Sequence, residues 1–140
     1  MQNIKKIEDL KAYHNQKQQI EMAETKLAKA LLTDMNDLKL LYDIFIYVEE
    51  MPTERLDIYE YKKMFMVIAF LFFAPQVLAG QKIPYGMRGP LKNVLEVCDG
   101  FVSRSKKDKI FLYSENERFR ETIDAIYDKM YVLLQAQGKL

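Results

Sequence analysis

The sequence holds a single cysteine, Cys98, and a single histidine, His14, and each scarcity removes a class of function. One thiol cannot build an intrachain disulfide framework, and two isolated residues make no Cys/His cluster with zinc-ligand spacing. A Ser-His-Asp or Cys-His catalytic device would have to recruit His14, which lies in a polar stretch where a surface role is the ordinary one. A Gly-rich phosphate loop is absent. Glu49 and Glu50 are adjacent and diverge on a helix, and no carboxylate pair accompanies metal-ligand spacing. These absences point away from an enzyme and supply no reason to expect a cofactor. Long apolar runs are also missing. The longest, MFMVIAFLFFA from Met64 to Ala74, is eleven residues, whereas a membrane span needs about 20. Lys62 and Lys63 precede it and Pro75 ends it, and the N-terminus carries no signal-peptide pattern. The expectation is a cytoplasmic protein with no membrane contact.

What is present is a chain of 140 residues, 49% hydrophobic and 29% charged, which suits one folded domain and is too apolar for disorder. From about Ile4 to Lys29 it is rich in Gln, Lys, Glu and Ala, with Ile4, Ile7, Ile20, Leu27 and Leu31 at loosely helical spacing. Residues 1–32 therefore read as an N-terminal helical arm, either solvated or packed on another subunit, although His14 and Lys17 interrupt any regular coiled-coil seam. Residues 33–140 read as a helical core domain. Thr33, Asp34, Asn36 and Asp37 are capping residues ahead of a buried helix reaching about Val48. Met51-Pro52-Thr53 breaks the chain, and Thr53 or Asp57 can cap a second helix through to Ala74. PQVLAG suits one helical turn opened by Pro75 and closed by Gly80. Ser114 with Glu117 has the capping-box pattern, so a long helix is expected from there, with Phe119, Ile123, Ile126, Tyr127, Met130, Leu133 and Leu134 on its core face and Gly138 near its end. No internal repeat and no strand pair is evident. The fold class is all-α, a compact helical bundle with a long N-terminal helix.

The net charge is only +1, so any nucleic-acid role must rest on how charge is distributed. Residues 82–110 hold seven bases against three acids, an excess of four, while 1–50, 51–81 and 111–140 are neutral or slightly acidic. Within the basic segment lies LKNVLEVCDGFVSR, Leu91 to Arg104. Leu91, Val94 and Leu95 can face inward on a first helix, Val97 can plug a turn, and Val102 can anchor a second helix, the parts a helix-turn-helix requires. Asp99 is placed to N-cap the second helix. A different register, with Gly100 ending the first helix, is also open. Cys98 falls in the turn, where either a buried inert thiol or an exposed redox-sensing one is consistent with the sequence.

The spacing of Leu95, Val97 and Val102, followed by Ser103-Arg104, resembles the motif of phage and bacterial repressors, in segment 88–112. Two positions depart from that pattern: Lys92 stands where the family prefers Ala, and Glu96 where it prefers Gly. The resemblance implies duplex DNA as partner. Gly100, Ser103, Arg104 and Lys107 would face outward, with Arg104 suited to bidentate contact with guanine and Ser103 to a base or a phosphate. Lys106, Lys107 and Lys109 would favour the phosphate backbone, and Arg88 and Lys92 would clamp flanking phosphates. The stretch from about Phe70 to Tyr127, through FAPQVLAGQKIPYGMRGPL and FLYSENERFRETIDAIYDKM, more loosely resembles small helical proteins of phages and mobile elements of gut anaerobes. A transcriptional regulator or packaging adaptor is the first expectation, and a structural or protein-interaction component without DNA binding the second. A small-molecule site lined by the Phe/Met cluster ranks third. Because an eleven-residue apolar helix must be covered on every side, a homo-oligomer built through the N-terminal helix or the apolar core helix is expected.

Overall fold

A computed structural model of the chain describes residues 2–27 and 29–140. Among the described residues there are six α-helices and no strand: α1 (Gln2–Leu27), α2 (Asp37–Val48), α3 (Arg55–Phe73), α4 (Arg88–Leu95), α5 (Phe101–Glu115) and α6 (Glu117–Ala136). A 3-10 turn over Pro75–Ala79 follows α3.

The apolar run forms the second half of α3, and the rest of the domain is built round it. Phe65, Met66, Val67, Ile68, Ala69, Phe70 and Phe72 are all fully buried. A helix apolar all round needs cover on every side, and α2, α5, α6 and the 3-10 turn supply it. Phe65 meets Tyr42 and Phe45 of α2 at ring-centroid distances of 4.8 and 5.4 Å, and Phe72 stacks on Tyr127 of α6 at 4.5 Å. The phenylalanines are therefore core, and the single chain covers the apolar run of α3, while Leu56 and Tyr59 in its first half stay exposed.

The ends of these helices follow from identifiable backbone chemistry. The amide of Ala74 closes α3 by donating to the Phe70 carbonyl, and Pro75, with no amide hydrogen, opens the 3-10 turn. Gly80 takes a left-handed φ of 97° to end it, as the PQVLAG pattern suggested. At the other junction the capping residue is not the expected one. α5 continues through Ser114 to Glu115, and Asn116 caps α6 by accepting the Phe119 amide at 2.9 Å. The Ser114 hydroxyl instead donates to the Ile110 carbonyl one turn earlier, a use open to serine inside a helix. α6 then buries Ile123, Ile126, Met130 and Leu134 at three- and four-residue spacing.

α1 stands apart. Each of its side chains described is exposed, His14 included, and it packs along none of the other helices. It is rooted where the amides of Leu31 and Leu32 both donate to the Phe72 carbonyl at 3.0 Å, with Leu32 buried in the core. No described helix is long and apolar enough to cross a membrane.

Candidate nucleic-acid interface

The segment 88–112 folds as two helices joined by a short turn. Pro90 falls in the first turn of α4, where its missing amide hydrogen costs no helical bond. α4 packs on α2 and α5 through Leu91 and Leu95, both fully buried. It ends at Leu95 because Glu96 turns left-handed, with φ 54° and ψ 53°. The Glu96 amide donates to the Asn93 carbonyl and the Val97 amide to the Lys92 carbonyl, both at 3.3 Å. That pair of bonds is the Schellman closure, whose left-handed residue is usually glycine. Val97 follows it and packs half-buried against the core. Of the two registers open in the sequence, the structure takes the one with the turn at Glu96.

α5 begins at Phe101, with Gly100 as its N-cap and no side-chain capping bond. Asp99 does not fill the capping role expected of it. Its carboxylate pairs with Lys92 across the turn, and the ammonium holds the Asp99 carboxyl below the ordinary carboxylate range. Lys92 thus meets the acid three residues past the left-handed Glu96.

Burial then sorts the α5 side chains by helical spacing. Phe101, Val102, Ser105 and Lys109 face the core, while Ser103, Arg104, Lys107 and Asp108 are exposed. Ser103 and Lys107 make no hydrogen bond or ion pair among the described residues, and neither does the exposed Arg88 at the start of α4. Arg104 folds back across the start of its own helix. Its guanidinium donates to Cys98 Sγ at 3.3 Å, and a Cβ on Gly100 would collide with it. Cys98 is exposed. Lys106 is half-buried and donates to the Gln81 carbonyl at 3.1 Å.

Lys109 corrects the sequence expectation outright. Its side chain is 7% exposed, its ammonium donates to Glu60 of α3 at 2.6 Å, and it lies 5.7 Å from the centre of the Phe119 ring. Such an ammonium is committed to joining α3 to α5 and cannot meet a phosphate. The hydrogen bond from Lys109 holds the Glu60 carboxyl below its ordinary value. A signal for this lay in the sequence, since Lys109 is seven residues past the inward-facing Val102 and eight past Phe101, positions that share a helix face. The partner Glu60, 49 residues away, had no such signal.

The seven candidates thus divide. Arg88 is exposed at the start of α4 and Ser103, Arg104 and Lys107 on the outward face of α5, Lys92 and Lys106 are engaged within the fold, and Lys109 is withdrawn. Among the described residues no group of three or more His, Cys, Asp or Glu side chains is placed to hold a metal ion. Comparison of the chain with protein-family models, with curated protein sequences and with solved structures finds no match.

Proposed function

We propose that the protein binds duplex DNA through α4, the turn at Glu96 and α5, as a non-enzymatic regulator or packaging-type adaptor. The observation that carries this reading is the outward face of α5. Ser103, Arg104 and Lys107 are exposed there, directly beyond a turn closed by a left-handed residue, with Val102 on the opposite face in the core. A helix presented this way offers its first two turns to a major groove. Arg88, exposed at the start of α4, is available to a flanking phosphate. The setting in a phage or mobile element is suggested by the looser resemblance of residues 70–127 and by nothing else.

The test is paired substitution on that face. Arg104→Ala with Lys107→Ala lowers duplex affinity, and Lys107→Ala alone weakens binding uniformly across sequences with a salt slope reduced by about one. Equal affinity in the double variant and the parent would defeat the proposal. One observation favours a second reading, a protein-interaction component without DNA binding. Lys92, Lys106 and Lys109 all spend their charge inside the fold, and Asp108 adds an exposed acid beside Lys107. That reading predicts no DNA affinity at physiological salt and a defined oligomer or complex.

A further inference from the structure

The loop between the 3-10 turn and α4, residues 81–87, presents a tyrosine for which the fold has no use. Tyr85 is fully exposed, more so than Tyr47 at 81% or Tyr13 at 69%, and its side chain makes no hydrogen bond or ring contact among the described residues. The sequence around it is free of negative charge. No Asp or Glu occurs from Tyr61 to Leu95, and Lys82 and Arg88, both exposed, stand three residues to either side of Tyr85. We propose that Tyr85 is a further contact to duplex DNA, its ring lying on a deoxyribose and its Oη donating to a phosphate next to the one that Arg88 meets. The contact rests on α4 and α5 being a DNA interface.

The loop is anchored, and to both helices of that interface. At its start the Gln81 amide donates to the Gln76 carbonyl at 3.2 Å, and the Gln81 carbonyl accepts from Lys106 of α5 at 3.1 Å. At its end Met87, buried, is the N-cap residue of α4, and its amide donates to the Pro84 carbonyl at 3.2 Å. Ile83 packs half-buried against the core between these ends. Pro84 fixes its own φ, and Gly86, at φ 87°, supplies the left-handed step that turns the chain into α4. A ring presented by such a turn has little freedom left to lose on binding. Arg88 and Lys92 lie one turn apart on a shared face of α4, and Lys92 reaches Asp99 just ahead of α5. Tyr85, three residues earlier in the chain, therefore extends the candidate interface past its Arg88 end. Glu24 of α1 approaches the far end of the loop, where the Gln81 side-chain amide donates to it at 3.5 Å.

The side chain suits a sugar-phosphate backbone. A phenol donates to an anionic oxygen while its ring covers the apolar face of a sugar, and tyrosine is among the side chains that meet DNA phosphates. Such a contact is independent of sequence and carries no charge. It adds affinity without steepening the salt dependence, which counts only the cations that displace counterions.

Tyrosine nitration of the intact, unaltered protein, mapped by peptide mass spectrometry, tests the contact. Tyr13, Tyr47 and Tyr85 are expected to react in the free protein, all three being exposed. Saturating duplex at low salt is expected to protect Tyr85, with Tyr13 and Tyr47 reporting any general loss of reactivity. Tyr85→Ala is expected to lower duplex affinity about three- to tenfold on every sequence, the worth of one hydrogen bond, with the salt slope unchanged. Tyr85→Phe should lose part of that. Full nitration of Tyr85 in the complex, or equal affinity of Tyr85→Ala and the parent, would overturn the contact. If Arg104→Ala with Lys107→Ala still lowers affinity, the DNA reading survives that result. A loss confined to single-stranded DNA would put base stacking in place of the duplex contact, and a parent that binds no duplex removes the reading and the contact together.

Discussion

Glu96 carries the turn in a conformation that costs an L-residue with a side chain about 1–2 kcal/mol relative to glycine. Glu96→Gly is therefore expected to stabilise the fold by about 0.5–1 kcal/mol, after the greater freedom glycine gives the unfolded chain is subtracted. Thermal unfolding measures this, and a lower midpoint would contradict the Schellman assignment. Its carboxylate also helps raise the pKa of the buried Tyr42, second to burial itself. Lys109 is the other residue whose role depends on where its side chain lies. The Glu60 carboxyl is depressed in the folded state, so the bond to Lys109 contributes stability above the unfolded value of 4.5 and loses it as pH falls through the lower folded value. The Glu60 side chain is 55% exposed, which keeps the contribution below about 1 kcal/mol. Glu60→Gln is expected to flatten that acid limb of the stability curve, and an unchanged slope in urea titrations below pH 4.5 would refute the pairing. Neither role was legible in the linear sequence as charge alone. Helical spacing places Lys109 on the inward face of α5, but its partner Glu60 and the left-handed φ of Glu96 emerge only with the fold.

Among the elements, the helices most legible in the sequence were those whose signal is periodic or continuous. The apolar run of α3, the core face of α6 and the Pro75 to Gly80 turn lie where spacing and turn chemistry put them. Helix ends were harder because several residues compete for one cap. Ser114, Asn116 and Asp99 are all good capping types, and only the packing of α5 against α3 and α6 decides that α5 runs past Ser114 and that Asn116 takes the cap. Asn116→Ala is accordingly expected to cost about 1 kcal/mol, and Ser114→Ala much less. Equal losses in the two variants would return the cap to Ser114. For the candidate interface, the outward residues of α5 were legible in the sequence, and the turn was legible in two registers. It concealed the pairing of Lys92 with Asp99 and the return of Arg104 to Cys98, contacts that depend on the turn's three-dimensional path.

The whole molecule is a helical core around α3 with an arm outside it, and each part answers to a different perturbation. Phe70 is fully buried, so Phe70→Ala is expected to cost about 3–5 kcal/mol, while substitutions along α1 leave the unfolding midpoint unchanged. Thermal denaturation of both variants checks this, and a large loss from the arm would mean that it belongs to the core. The basic excess of residues 82–110 is the only large one in a nearly neutral chain, and folding has moved one of its lysines inward. The exposed cations left on α4 and α5, Arg88, Arg104 and Lys107, set what DNA binding would look like. Titration of a fluorescent random-sequence duplex at two salt concentrations tests this most directly. These three exposed charges predict measurable affinity at low salt and a log–log salt slope of about −2 to −3, with the affinity lost in the Arg104→Ala, Lys107→Ala variant. Absence of binding even at low salt, or binding that ignores those two substitutions, would contradict the account.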